Sequence, residues 1–320
     1  MLAGRRAYIR PVAVSDRQAD RHVPMVRLPA VVTALIVVAQ LAGQRPPNDS
    51  LRAWRPWLVA SGSIAVTAGS WVALDNAWYS DYERTSLHSF NDGHEWLGMD
   101  KAGHFWSAYN GGAWGHAMLR WSSVEERRAA LYGGGMGLIF LTGVEVLDGT
   151  SSGWGFSWWD MAANAGGAGA FMGQQLLWNE QRVRVKLSAQ LTPFAEVRPA
   201  LLGSGTAERL LKDYNGQTIW LSGNIAAFLN GGSRFPRWLN VAVGYGAENM
   251  VTAEDDRLNT ARGIGPRSPQ VFLSLDADLT RIKSRSAFVR TALFLLNSIK
   301  LPAPALEWRD GRFLAHGLYF

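Results

Sequence analysis

The sequence predicts an α+β protein, with a glycine-rich bundle of about four membrane-type helices followed by an antiparallel β meander or small barrel. Three observations carry this prediction. Nearly charge-free stretches of helical length fill residues 51–178, and small residues recur along them at about every fourth position. At Gln181 the apolar period then changes from helical to two. The chain accordingly divides into a leader and secretory segment over 1–43, a helical unit over 44–180 and a β-rich unit over 181–320.

Composition narrows the class. Of 320 residues, 48% are hydrophobic and only 18% charged, and the 15 Trp suit contact with lipid, where indole rings gather at the interface. Mean hydropathy is only −0.06, too low for a chain built wholly of spanning helices, so part of the apolar surface belongs to strands. The absence of cysteine excludes disulfides, thiol catalysis, cysteine-ligated zinc and a lipid-modified cysteine. Of the net charge of +6, residues 1–43 hold +4, and the remainder forms no basic patch. Nucleic acid is therefore not an expected partner. Membrane lipid is expected, and protein partners stay unassigned.

The first segment reads as targeting. From Met25, "MVRLPAVVTALIVVAQLAGQRPP" has a basic start at Arg27, an apolar stretch from Leu28 to Leu41 and small residues at Ala42-Gly43. That is the build of a secretory signal peptide, with a core short for a membrane span. Translation from Met25 or cleavage near Gly43 is expected, with residues 1–24 an upstream extension or a disordered leader; the alternative is an uncleaved N-terminal anchor. The expected location is the bacterial cell envelope, on the outer-membrane or periplasmic side rather than the inner membrane.

Four helices are expected at Pro56–Leu74, Ala102–Leu119, Ala129–Val144 and Met161–Asn179. Glycines at 133–137 and 166–169 would let their backbones approach closely. In "RVRVKLSAQLT" the apolar Val183, Val185, Leu187, Ala189 and Leu191 alternate with polar residues, which describes a strand with one wet and one apolar face. Noisier alternation follows at Gln217–Phe228, Trp238–Glu248 and Val271–Thr280, with two weaker candidates at Phe194–Leu202 and in a split of the Gln217 run. A hairpin, "PALEW", "RDG", "RFLAHGLYF", ends on Tyr319-Phe320 and resembles the aromatic terminus of outer-membrane barrels. Ser284–Lys300 reads as a surface helix with Phe288, Leu295 and Leu296 on one side.

The chemistry sits in the helical half. In "MDKAGHFWSAYNGG" Asp100 and His104 are four apart and share a helix face, whereas Lys101 points elsewhere. Glu145 and Asp148 end the third helix as a pair three apart, and Asp160 and Asn164 open the fourth as a pair four apart. Asp100 and Asp160 also suit helix N-termini, where a carboxylate meets free N–H groups. Glu145, inside an apolar run near a helix C-terminus, needs a partner, and His104 or Lys101 is the natural one.

These residues carry a resemblance. "DKAGHFWSAY" and "GVEVLDGTSSGWGFSWWDMAANAGGAGAFMG" resemble the VanZ-like membrane proteins, in which Asp-Lys-x-x-His-Phe is followed by a Glu and then Asp-x-x-x-Asn-x-x-Gly. A closer similarity, through "HSFNDGHEWLGMDK" and "KDYNGQTIWLS", is to the YfiM-like envelope proteins, over about residues 87–222. The chain departs from the VanZ-like pattern at Asp148, in place of Gln, and at Trp158-Trp159, in place of a basic residue. The resemblance implies an envelope protein and brings no established reaction with it.

Three roles remain for Asp100, Lys101, His104, Glu145, Asp148, Asp160 and Asn164. They form a structural network in an envelope accessory protein, or the acid–base set of a membrane-embedded enzyme acting on a lipid or lipid-linked precursor. The third role is a divalent-metal site from His104, Glu145 and Asp148 with His94 or Asp92. The sequence names no cofactor. "KDYNGQ" at Lys212–Gln217 reads as a tight turn before a strand, which could cap the helical site.

Overall fold

The computed structural model describes residues 54–80, 82–229 and 234–320, so the leader and secretory segment expected over 1–43 lie outside the described residues. Helix α1 (Arg55–Leu74) has Pro56 in its first turn, where the missing N–H would have no intrahelical partner in any case. Helices α2 (Met99–Trp121), α3 (Glu126–Gly149) and α4 (Trp158–Trp178) follow. Helix α2 is central, packed against both α3 and α4. Its approach to α3 depends on facing glycines. A Cβ on Gly111 would stand 2.8 Å from the Gly137 Cα, and one on Gly137 would stand 2.5 Å from the Ala108 carbonyl oxygen.

Among the described residues two helices, α1 and α3, are long and apolar enough to cross a membrane, which corrects the expectation of four. Freedom from charge is not apolarity. Helix α2 carries Asp100, Lys101, His104, Asn110 and Arg120, and α4 carries Asp160, Asn164, Gln174 and Gln175. Both use their faces inside the protein, whereas α1 buries only Val59 and Ala60.

The C-terminal half is one antiparallel six-stranded meander in chain order. Its strands are β3 (Val183–Ala189), β4 (Gln217–Asn224), β5 (Leu239–Glu248), β6 (Ser268–Ala277), β7 (Ala303–Arg309) and β8 (Arg312–Tyr319), after a two-residue parallel pair in the helical half, β1 (Ser89–Phe90) with β2 (Phe156–Ser157). The weaker strand candidates are helical. Phe194–Val197 and Pro199–Leu202 form short turns started by prolines, which cannot donate to a ladder. The Gln217 run leaves the sheet at Asn224, whose side chain accepts from Ala227 N at 3.0 Å to cap the turn Ile225–Phe228. Helix α5 (Ala287–Leu296) exposes Phe288, Leu295 and Leu296 as expected.

The sheet curls. Tyr319 on the last strand reaches Trp220 on the second, at 5.9 Å between ring centroids, and Phe272 at 4.4 Å. Beyond β3, the segment before β7 exchanges backbone hydrogen bonds with Leu187, from Leu187 N to Ser298 O and from Lys300 N to Leu187 O, both 2.9 Å. The concave side is largely polar. Lys186 and Asp276 pair there at 2.7 Å with both side chains fully buried, beside Ser222 and Asn240, and buried Glu307 bonds Gln270 and His316 further along.

Helix α2 covers part of the convex side, where Met99, Tyr109 and Ala113 pack with Val185, Ile219 and Ala247. Asn110 Nδ2 donates to Val185 O at 3.0 Å, and Trp106 Nε1 to Ser298 O at 3.1 Å. The convex side of β6–β8, with the middle of β5, is uncovered, and Val243, Val271, Leu273, Leu275, Leu306, Trp308 and Phe313 are exposed.

Candidate functional site

The chain enters α2 through a strained turn. Trp96 and Leu97 have φ of 49° and 51°, and Gly98 has 77°, so two of three consecutive left-handed residues carry a Cβ that disfavours this conformation. The β-rich half holds the turn in place. Trp96 N donates to Ala253 O at 2.8 Å, and the Tyr245 hydroxyl donates to Leu97 O at 2.5 Å. The turn carries buried Asp92 back over the first turn of α2.

Lys101, expected to point away, is instead the centre of the cluster. Its Nζ lies 2.5 Å from Asp92 Oδ2, 2.9 Å from Asp100 Oδ2 and 3.2 Å from Asp160 Oδ1, the last an ion pair without hydrogen-bond geometry. A long flexible stem lets the ammonium reach back across the helix start, which a position-by-face argument from spacing does not register. Although burial opposes its charge, Asp100 and Asp92 raise the lysine pKa above its ordinary value. Burial also works against ionised Asp92, but its hydrogen bonds from Lys101 and Ser157 prevail and lower its pKa.

His104 lies one turn further along. Its Nδ1 is 3.0 Å from Asn164 Oδ1 and 3.6 Å from Glu145 Oε1, and its Nε2 faces Asp100 Oδ1 at 3.8 Å. Donation from Nδ1 to Asn164 fixes the ring and leaves Nε2 toward the aspartates. Burial disfavours the imidazolium, yet Asp100, Asp160 and Glu145 together raise the histidine pKa. Asp160 is pushed the other way for a carboxylate, upward, by burial and by the Asp100 charge.

Asp100 and Asp160 stand in the first turns of α2 and α4, as expected, but neither side chain caps its helix. Ser157 caps α4: its Oγ accepts from Asp160 N at 3.0 Å and donates to Asp92 Oδ1 at 2.6 Å, while its own N–H donates to Glu145 Oε2 at 3.1 Å. Helix α2 has Gly98 at its cap position, so Asp100 is free to face Lys101 and to accept from Tyr214 OH at 2.9 Å. Glu145 meets His104, where the sequence placed its partner. Asp148 accepts from Tyr79 OH at 2.7 Å.

One ligand atom each from Asp100, His104 and Asp160 lie within 4.8 Å of one another, a different set from the metal group expected from sequence. His94 is exposed, and Asp148 is engaged by Tyr79. Tyr79 and Tyr214 were not legible as site residues. The only signal for Tyr214 was the turn "KDYNGQ", which does sit over the helical cluster.

Residues 89–174 match the model of a family described as "Predicted periplasmic lipoprotein (DUF2279)", a domain of unknown function. The matched span runs from β1 into α4 and contains all seven residues singled out from sequence. It supports an envelope location for this part of the chain. No curated protein and no solved structure matches the chain. None of the 320 residues is a cysteine on which a lipid thioether could form.

Proposed function

We propose that the chain is an exported bacterial envelope protein with a structural or accessory role, held against lipid by the convex face of its sheet. The observation that carries this is an inverted strand pattern. Along β6 the buried residues are Ser268, Gln270, Phe272, Ser274 and Asp276, and the exposed ones are Pro269, Val271, Leu273 and Leu275. A sheet in water buries its apolar alternate, but this one buries ions and amides and presents aliphatic side chains outward, the arrangement of strands in contact with lipid. The expected six good strands are the six observed, fewer than the eight of the smallest closed outer-membrane barrels. The resemblance to YfiM-like and VanZ-like proteins points to the same compartment.

With no native cysteine, single-site labelling reads the face directly. Nitroxides on Val271→Cys, Leu273→Cys and Leu275→Cys in phosphatidylcholine vesicles are expected to be accessible to oxygen and protected from a water-soluble nickel complex. Strong nickel accessibility at all three sites would end the lipid reading.

A second reading, an enzyme acting on a lipid or lipid-linked precursor, is favoured by the orientation of His104 alone. Its Nδ1 is held by Asn164 and its Nε2 turned to Asp100, an oriented acid–base pair. That reading requires His104→Ala to abolish the cellular phenotype of the gene while leaving the folded protein in place.

A further inference from the structure

We infer that Asp100, His104 and Asp160 bind one divalent transition-metal cation, with Asn164 as the residue that orients the histidine. The inference holds whether or not the sheet faces lipid. It starts from charge. Asp92, Asp100 and Asp160 converge on one ammonium, Lys101, and Asp100 and Glu145 on one imidazole, His104. Even with His104 protonated the cluster holds more negative than positive groups, in surroundings where Glu145 is 1% exposed and Asp160 4%. Unpaired charge at that depth is costly and must be offset by protons or by a cation.

Unsatisfied atoms supply the second observation. Glu145 Oε1 and Asn164 Nδ2, on residues almost wholly buried, have no hydrogen-bond partner. Asp160 Oδ1, in the ligand set itself, likewise has no hydrogen bond and only the Lys101 ammonium at 3.2 Å, whereas Glu145 Oε1 faces His104 Nδ1 at 3.6 Å, on the other side of the ring from Nε2. In contrast, the interior of the sheet compensates its charges locally, Lys186 with Asp276 and Arg184 with Asp278.

Geometry then selects the ligands. A first-row divalent ion sits about 2.1 Å from imidazole nitrogen and carboxylate oxygen, so two ligand atoms lie at most about 4.2 Å apart across it. The 3.8 Å from His104 Nε2 to Asp100 Oδ1 already fits this limit. The three ligand atoms lie within 4.8 Å of one another, so rotation of the two carboxylate side chains by several tenths of an ångström closes the set around an ion. The bond from Nδ1 to Asn164 is the support a metal-ligating histidine ordinarily has. Lys101 touches both aspartates, so it is the resident cation with which the metal competes, and Asp92 remains to hold it. Mixed carboxylate and imidazole donors suit manganese(II) and its neighbours rather than calcium.

The test uses the full chain in detergent micelles with manganese(II) chloride. We expect one manganese per chain and, in pulsed electron paramagnetic resonance, nitrogen coupling from a single imidazole. Asp100→Asn and His104→Gln should each weaken binding at least about 10-fold, and Asn164→Ala by about 10- to 100-fold, the range for a supporting residue. Glu126→Gln, at the separate His116–Glu126 pair, should leave affinity unchanged. The spectroscopic readout needs no variant, so misfolding of a substituted chain does not blunt the test. Absence of stoichiometric binding, bound manganese without nitrogen coupling, or full affinity in both ligand variants would each overturn the assignment.

Discussion

Leu273→Arg separates a lipid-facing sheet from a water-facing one. Leu273 lies on β6 between Val243 on β5 and Leu306 on β7, its register partners on either side. The three are 50%, 49% and 42% exposed, so the substitution falls at the middle of the uncovered convex face. Fully burying a leucine is worth about 1.5–3 kcal/mol, so the exposed half contributes about 1 kcal/mol when it meets hydrocarbon. An arginine deep on the lipid face of a strand costs about 2–4 kcal/mol. Together the change should destabilise the lipid-bound protein by about 3–5 kcal/mol. In water the same exposed position should tolerate arginine to within about 0.5 kcal/mol. Urea unfolding of the full chain in phosphatidylcholine vesicles, followed by tryptophan fluorescence, reads the difference as a large drop in midpoint. A midpoint within error of the parent, with Leu273→Arg more soluble than the parent without lipid, would refute the inside-out reading of the sheet.

Three further outcomes follow from the packing. Gly137→Ala should cost about 1–3 kcal/mol because its Cβ would meet the Ala108 carbonyl, whereas Gly135→Ala, with open space around it, should gain up to about 1 kcal/mol of helix propensity; paired thermal melts check the opposite signs. Lys186→Met strands a buried Asp276 and should cost about 3–5 kcal/mol, most of it recovered when Asp276→Leu is added, as urea titration of the single and double variants would show. Ser157→Ala removes the cap of α4 and a hydrogen bond to buried Asp92, for a loss of about 2 kcal/mol in the same unfolding assay.

The sequence by itself determined the elements whose cause is local. Charge-free runs gave the four helices, alternation gave the strands of the meander, and the i, i+4 spacing put Asp100 and His104 on one face of α2. Glycines at 133–137 signalled a close helix pair, which Gly137 makes against Gly111 because only a missing side chain permits that distance. Tertiary structure decided what depends on the far ends of long side chains and on residues distant in sequence. Lys101 is central because its flexible stem reaches three carboxylates, and Tyr214, 114 positions from Asp100, arrives only when the sheet docks on α2. Tertiary packing also decided which alternate of each strand is inside. Alternation fixes two faces but does not say which meets the core, and that choice came from curling the sheet around Trp220, Phe272 and the Lys186–Asp276 pair. The same packing reduced four membrane-type helices to two, since α2 and α4 bury polar side chains that only their neighbours can satisfy.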